Sequence, residues 1–227
     1  MASKPQHRLP ANPIAGFATR RGEGEPVEVA ITQVPTVSGG FSTGFALNFA
    51  TATVPDRRYY ADTCVVIRAR SVVKIPFAQV RISDDTIRSM IAVQMPCSSA
   101  RQFIEAIDAT KEPSYSELAA QHGIVIDELP KLLKEPTEPA AVAFAANAAV
   151  TAIAGDAAVI DFYQLSPFVA AAMQKVPNTR TMGLEPVVRV DLATSLFLGM
   201  LAALRKAIED VPPSSSGNWR SLSHERV

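Results

Sequence analysis

Residues 61–79, ADTCVVIRARSVVKIPFAQ, lie without gaps over residues 146–164, ANAAVTAIAGDAAVIDFYQ, pairing Ala61 with Ala146, Val65 with Val150, Ile75 with Ile160, Phe77 with Phe162 and Gln79 with Gln164. A chain that carries one pattern twice has to build two like units and bury their like faces, which removes most folds from consideration. Each copy holds two apolar runs around a short turn, Ala69-Arg70-Ser71 in the first and Ala154-Gly155-Asp156 in the second. Gly and Asp are favoured in such turns because they tolerate left-handed backbone. Val65, Ile67, Val73, Ile75 and Phe77 keep a two-residue period, which predicts strands with one apolar face.

The likeness resumes after a loop, with residues 92–107 (AVQMPCSSARQFIEAI) against residues 189–204 (RVDLATSLFLGMLAAL). Both read as a strand running into a helix. The loop before it is longer in the second copy, an insertion that costs little closure entropy. Ala100, Phe103, Ile104 and Ile107 repeat at helical spacing behind a Ser98 cap, and Phe197, Met200, Leu201, Leu204 and Ile208 do so behind Thr194. The predicted fold class is therefore α+β: a duplicated β-β-β-α unit forming antiparallel sheets with helices packed on one face, plus a short helical connector.

The chain divides accordingly into a mobile N-terminal segment (1–26), a hairpin with the first unit (27–110), a helical connector (111–140), the second unit (141–211) and a mobile tail (212–227). The hairpin is read from VEVAITQV (27–34) and GFALNFATATV (44–54), whose apolar residues alternate. Its loop is not a phosphate loop, because Gly44 is followed by Phe45 and Ala46 where a Lys and a hydroxyl residue are needed. Trp219, alone in a polar tail, reads as a partly buried side chain or a short anchor. Residues 140–152 are so rich in Ala that propensity favours helix, whereas the repeat assigns a strand from Ala149 onward.

Within the connector, SYSELAAQHGIVIDELPKLLKE (114–135) places Ala119, Gly123, Ile126 and Leu129 at helix-turn-helix offsets. A DNA-binding regulator is the alternative this raises. Lys131 and Lys134 stand against Glu117, Asp127, Glu128 and Glu135, and no Arg, Asn or Gln lies on the second helix from Asp127 to read bases. The segment is thus expected to join the units.

Composition narrows the rest. Lys plus Arg equals Asp plus Glu at 22 each, so no net field draws the chain to a polyanion, and nucleic acid is not an expected partner. The uncharged, Ala-rich stretch from Ala140 is too short and too rich in Ala to span a bilayer. Two cysteines, Cys64 and Cys97, fit neither a disulfide scaffold nor a metal site, and a cytoplasmic location is expected. His7, His122 and His224 have no ligand spacing, so no metal or other cofactor is expected.

No set of converging catalytic groups emerges from the pattern. Cys97 stands where the first helix begins, where a thiol can be activated, but no His is predicted near it and an inert buried Cys is favoured. Asp84-Asp85 reads as turn chemistry. Phe77 with Gln79 and Phe162 with Gln164 recur two apart on strands, and two such faces could form a groove for a peptide; the competing assignment is core for each Phe and strand-end pairing for each Gln. The second helix is apolar over more than one stripe, since Leu196 and Leu198 lie off its main face, which makes those two the candidate oligomer interface.

The strands ending near a Phe, then a strand running through a Pro or Thr/Ser turn into a helix, resemble a family of short bacterial proteins known only as a domain of unknown function. The residues that carry this are Tyr60-Ala61-Asp62 with Phe77 and Met95-Pro96, and Ala146-Asn147 with Phe162 and Leu192-Ala193; the second copy lacks the Pro. The resemblance implies the strand-strand-strand-helix fold and no activity. The architecture is also similar to SecB-type export chaperones, which would imply oligomers holding extended peptides. The function expected from the sequence is a non-enzymatic binding or assembly protein, a homo-oligomer with a peptide or protein partner.

Overall fold

The computed structural model describes residues 25–35, 41–81, 83, 86–108, 115–125, 133–134, 136, 140, 142–165, 181–209 and 219–221. The strands are β1 (Glu25–Pro35), β2 (Phe41–Leu47), β3 (Arg58–Ala61), β4 (Thr63–Cys64), β5 (Ile67–Ala69), β6 (Val72–Val80), β7 (Ile87–Pro96), β8 (Ala143–Ala145), β9 (Ala148–Ala154), β10 (Ala157–Leu165), β11 (Thr181–Ala193) and β12 (Trp219–Ser221). The helices are α1 (Cys97–Asp108), α2 (Tyr115–Gln121) and α3 (Thr194–Ile208). Mixed sheets with a few helices make the fold α+β, as the alternating and helical periods require.

One sheet runs β12-β2-β1-β11-β10-β9, with β3 also on β11; the other runs β4-β6-β7-β8, with β5 also on β6. The central hairpins β6–β7 and β10–β11 are antiparallel, as expected, but β3 on β11, β8 on β7 and β12 on β2 are parallel. The sheets are therefore mixed and not purely antiparallel. The β3–β11 and β8–β7 pairs arise because two strands cross from one sheet to the other.

Chain segment 58–69 pairs first with β11 in one sheet, then with β6 in the other. Segment 143–154 pairs first with β7, then with β10. The registers correspond: Arg58 faces Arg189 and Ala61 faces Leu192, while Ala143 faces Ala92 and Ala145 faces Gln94. At each crossing sits an Ala only 1% exposed, Ala61 or Ala146. The next side chain, Asp62 or Asn147, accepts a hydrogen bond from the N–H of Val80 (3.1 Å) or Leu165 (2.7 Å). A small residue lets the backbone pass between sheets, and the carboxylate or amide satisfies a strand end that the crossing leaves without a ladder partner.

The two hairpins also agree in detail. Val72 to Val80 pair with Pro96 to Ile87, with a bulge after Phe77; Ala157 to Leu165 pair with Ala193 to Leu184, with a bulge after Phe162. The turns at Arg70 and Gly155 both have φ of 58°. Cys97 N–H donates to Ser71 O and Thr194 N–H to Asp156 O, both at 2.8 Å. Ser98 is not a cap, since α1 already starts at Cys97, and Thr194 is the first residue of α3. Its hydroxyl donates to Gly155 O at 2.9 Å, fastening the helix start to the turn.

One large core joins the two sheets. Val73, Ile75, Phe77, Ile91, Val93 and Met95 from one sheet meet Ile160, Phe162, Val188, Val190 and Leu192 from the other, closed by Phe103 and Ile104 of α1 and by α3. Phe77 and Phe162 touch across it, ring centroids 6.1 Å apart and tilted by 58°. The units at 27–110 and 141–211 are consequently not separate bodies, because each lends a strand to the other's sheet. The hairpin β1–β2 forms, but β1 joins β11 of the second unit, pairing Glu25 with Leu184.

The Ala-rich stretch is strand from Ala143, earlier than the Ala149 expected, because the ladders to β7 and β10 outweigh an intrinsic helix preference of well under 1 kcal/mol per residue. In the tail, Trp219–Ser221 pair with Phe45 to Leu47 of β2 and form a strand. The remainder of the tail and residues 1–24 lie outside the described residues.

Two stability predictions follow from these contacts. Phe77→Ala and Phe162→Ala should each lower the unfolding free energy by about 3–5 kcal/mol in urea titrations, and the double variant by less than their sum, because the rings share a cavity wall. Gly155→Ala should cost about 1 kcal/mol through its left-handed backbone, whereas Arg70→Gly, relieving the same conformation, should cost less or stabilise.

Candidate functional site

The side chains singled out for binding are inside. Phe77 and Phe162 are both fully buried, so they are core and do not wall a groove. The tilted ring contact between them explains why aromatics recur at equivalent positions. Gln79 Nε2 donates to Tyr60 O at 3.0 Å, and Gln164 Nε2 lies 3.5 Å from Leu165 O, so both amides serve strand ends. The structure brings the two Phe together and leaves each Gln at its own margin.

Leu196 and Leu198 are likewise not an oligomer interface. They are 6% and 0% exposed within a single chain. The helix is apolar nearly all round because strands of both units and α1 enclose it. Its C-terminal carbonyls are satisfied by arginines from the first unit: Arg101 Nη2 donates to Ile208 O at 2.8 Å and Arg68 Nη1 to Ala207 O at 3.1 Å. Arg205 also pairs with Asp108 of α1.

Cys97 is buried with its thiol 3.8 Å from Arg70 O, in the place that the Thr194 hydroxyl takes in the other unit. Cys64 is fully buried, and burial pushes its thiol up to about 12. Both cysteines are unpaired. His122 Nδ1 lies 3.3 Å from Asp156 Oδ1, which links the end of α2 to the β9–β10 turn. Asp84, Asp85, His7 and His224 lie outside the described residues, and no group of three metal-binding side chains occurs among those described.

In the connector, α2 stops at Gly123, whose φ is 63°. Ile124 N–H donates to Ala119 O and Gly123 N–H to Ala120 O, which is the glycine-terminated helix end known as the Schellman motif. Ala119 is 1% exposed and belongs to the common core. The glycine therefore ends a helix that is packed down on the protein; the second helix from Asp127 lies outside the described residues. Further on, Lys134 N–H donates to Thr63 Oγ1 at 3.0 Å, docking the connector on β4.

Unforeseen from the sequence is a charged row on the outer face of the larger sheet. Arg189 grips Asp161 with two hydrogen bonds of 2.6 and 2.7 Å, and Arg58 grips Asp191, with Nη2 to Oδ1 at 2.8 Å. Asp161 is 7% exposed. Its hydrogen bonds raise the Arg189 pKa against the opposing effect of burial. Alternating charges in RVD (189–191) and a lone Asp between Ile160 and Phe162 were the available signal, since cross-strand charge pairs share one face. Each cation is matched by a carboxylate, so the row fixes strands and presents no spare charge to a ligand.

Beside it Tyr163, Leu165, Leu184 and Leu47 form a small second core under Phe49. Tyr163 is 2% exposed, and burial, reinforced by the Asp161 carboxylate, pushes its hydroxyl up to about 12.

The surface feature that remains is the margin of this sheet. β9, AAVTAIA, is its last strand; it is seven residues long, carries no charge or proline, and pairs with β10 without a register break. Ala152 and Ala154 are exposed, and the other five residues are half-buried. No strand among the described residues pairs with its outer side. Such an edge presents backbone N–H and C=O groups to any chain that can add a strand.

No family model, curated protein or solved structure matches the chain.

The tyrosine gives a pH test. Ionisation of Tyr163 is opposed in the folded protein, so its stabilising effect is present below the ordinary value of 10.0 and lost as pH rises from there through about 12. Tyr163→Phe should flatten the fall in melting temperature over that range, and ultraviolet titration of the native protein should show one tyrosine ionising late.

Proposed function

We propose that the protein is a non-enzymatic assembly or protein-binding protein, built from a duplicated β-β-β-α unit, that associates by strand addition at a sheet edge. The observation that carries this is β9, a regular and uncharged terminal strand whose outer side is not paired by any described strand. Natural sheets ordinarily blunt such edges with charge, proline, bulges or brevity. β4, β5 and β8 have those devices: β4 and β5 are two and three residues long with Arg68 at hand, and β8 is three residues long under the Arg57 guanidinium, which lies 5.4 Å from the Phe144 ring centre. β9 has none of them.

Duplication is part of the reading. It is supported by the gapless alignment, the matching bulges and turns, and the reciprocal crossing strands. A reducing, cytoplasmic setting accords with two unpaired thiols. No helix among the described residues is long and apolar enough to cross a membrane.

DNA reading by residues 114–135 has less support, because Ala119 and Leu118 are used in packing and the segment carries more acid than base. Holding an extended peptide in the manner of SecB-type chaperones would use the same edge as self-assembly.

The test is a mass measurement combined with a binding assay. Light scattering should give a mass above the 24.3 kDa of one chain, or the protein should retain a reduced, carboxymethylated unfolded polypeptide in a fluorescence anisotropy titration. A protein that stays monomeric over a wide concentration range and holds no extended chain would sink the proposal.

A further inference from the structure

We infer that the occupant of the β9 edge is a second copy of the same strand, paired antiparallel about a twofold axis at Thr151. This rests on the strand-addition reading and specifies its partner. Two independent properties of the strand point to it.

The first is backbone parity. Ala154 and Ala157 face each other across the two-residue turn Gly155-Asp156, and residues flanking such a turn exchange both hydrogen bonds. Ala148, Val150, Ala152 and Ala154 therefore direct their backbone groups at β10. Ala149, Thr151 and Ile153 direct theirs outward. An antiparallel copy centred on Thr151 meets outward residues with outward residues, giving roughly six backbone hydrogen bonds with all seven residues overlapped.

The second is side-chain fit. In that register Val150 faces Ala152 of the second copy, and Ala149 faces Ile153. Every β-branched aliphatic residue is opposed by an alanine, so neither face is crowded, and Ala148 faces Ala154 at the ends. Because the strand has no charge, self-pairing brings no like charges together, whereas Arg68 at the corresponding margin of the other sheet would face its own image.

The experiment uses the full chain. Wild-type protein should scatter as twice the mass of the 24.3 kDa chain. Ala152→Glu, at an exposed position on the edge, should raise the dimer dissociation constant at least tenfold, and Ala157→Glu, exposed on the neighbouring strand, should not. Thr151→Cys should yield a disulfide-linked dimer under mild oxidation, which the wild type, with both cysteines buried, should not. A dimer that ignores Ala152→Glu and is not cross-linked through position 151 would overturn this pairing and leave the assembly reading standing. A wild-type monomer would overturn it too, and binding of the unfolded polypeptide by that monomer would keep the edge as a peptide site.

Discussion

The two crossing strands govern this structure. Because residues 58–69 and 143–154 each serve one sheet and then the other, neither half of the chain can complete its sheet alone. The inner faces of both sheets are thereby held over one core, with Phe77 against Phe162 at the point where the halves meet. Burial of apolar area at about 25 cal/mol per Å² supplies the drive, and the crossing determines that it is gathered once and not in two small, marginal cores.

The helices depend on the same exchange. α3 is apolar around most of its surface because it packs against β10 and β11 of its own unit and β4 and β5 of the other. Its last carbonyls are taken by Arg68 and Arg101, both from the first unit. The connector is bound into this frame by Ala119 in the core, the Lys134–Thr63 hydrogen bond and the His122–Asp156 pair. What resembles a DNA-reading motif in outline is, over its described part, a capped helix used for packing.

The charged row Asp161–Arg189 and Arg58–Asp191 is internally matched, and its worth is in fixing the order of β10, β11 and β3. The proposed role in assembly rests on β9, an alanine-rich strand without charge or proline. Its meaning depends on where it lies: within a sheet the same residues would be unremarkable, and at an edge they are an unguarded template.

The sequence by itself determined the local units. Alternation at Val73, Ile75 and Phe77, the turns at Arg70 and Gly155, and the helical spacing of Phe103 with Ile104 and of Leu201 with Leu204 are near-neighbour properties, and a period can be read without knowing what it packs against. Only the tertiary structure decided that Phe77 and Phe162 face each other and not a ligand, and that Leu196 and Leu198 are enclosed by their own chain. It likewise decided that Ala143–Ala145 extend as a strand against β7. Each of these depends on a partner far away in sequence. Periodicity reports that a face will be buried, but the identity of what buries it is set by strand exchange, which no local pattern encodes.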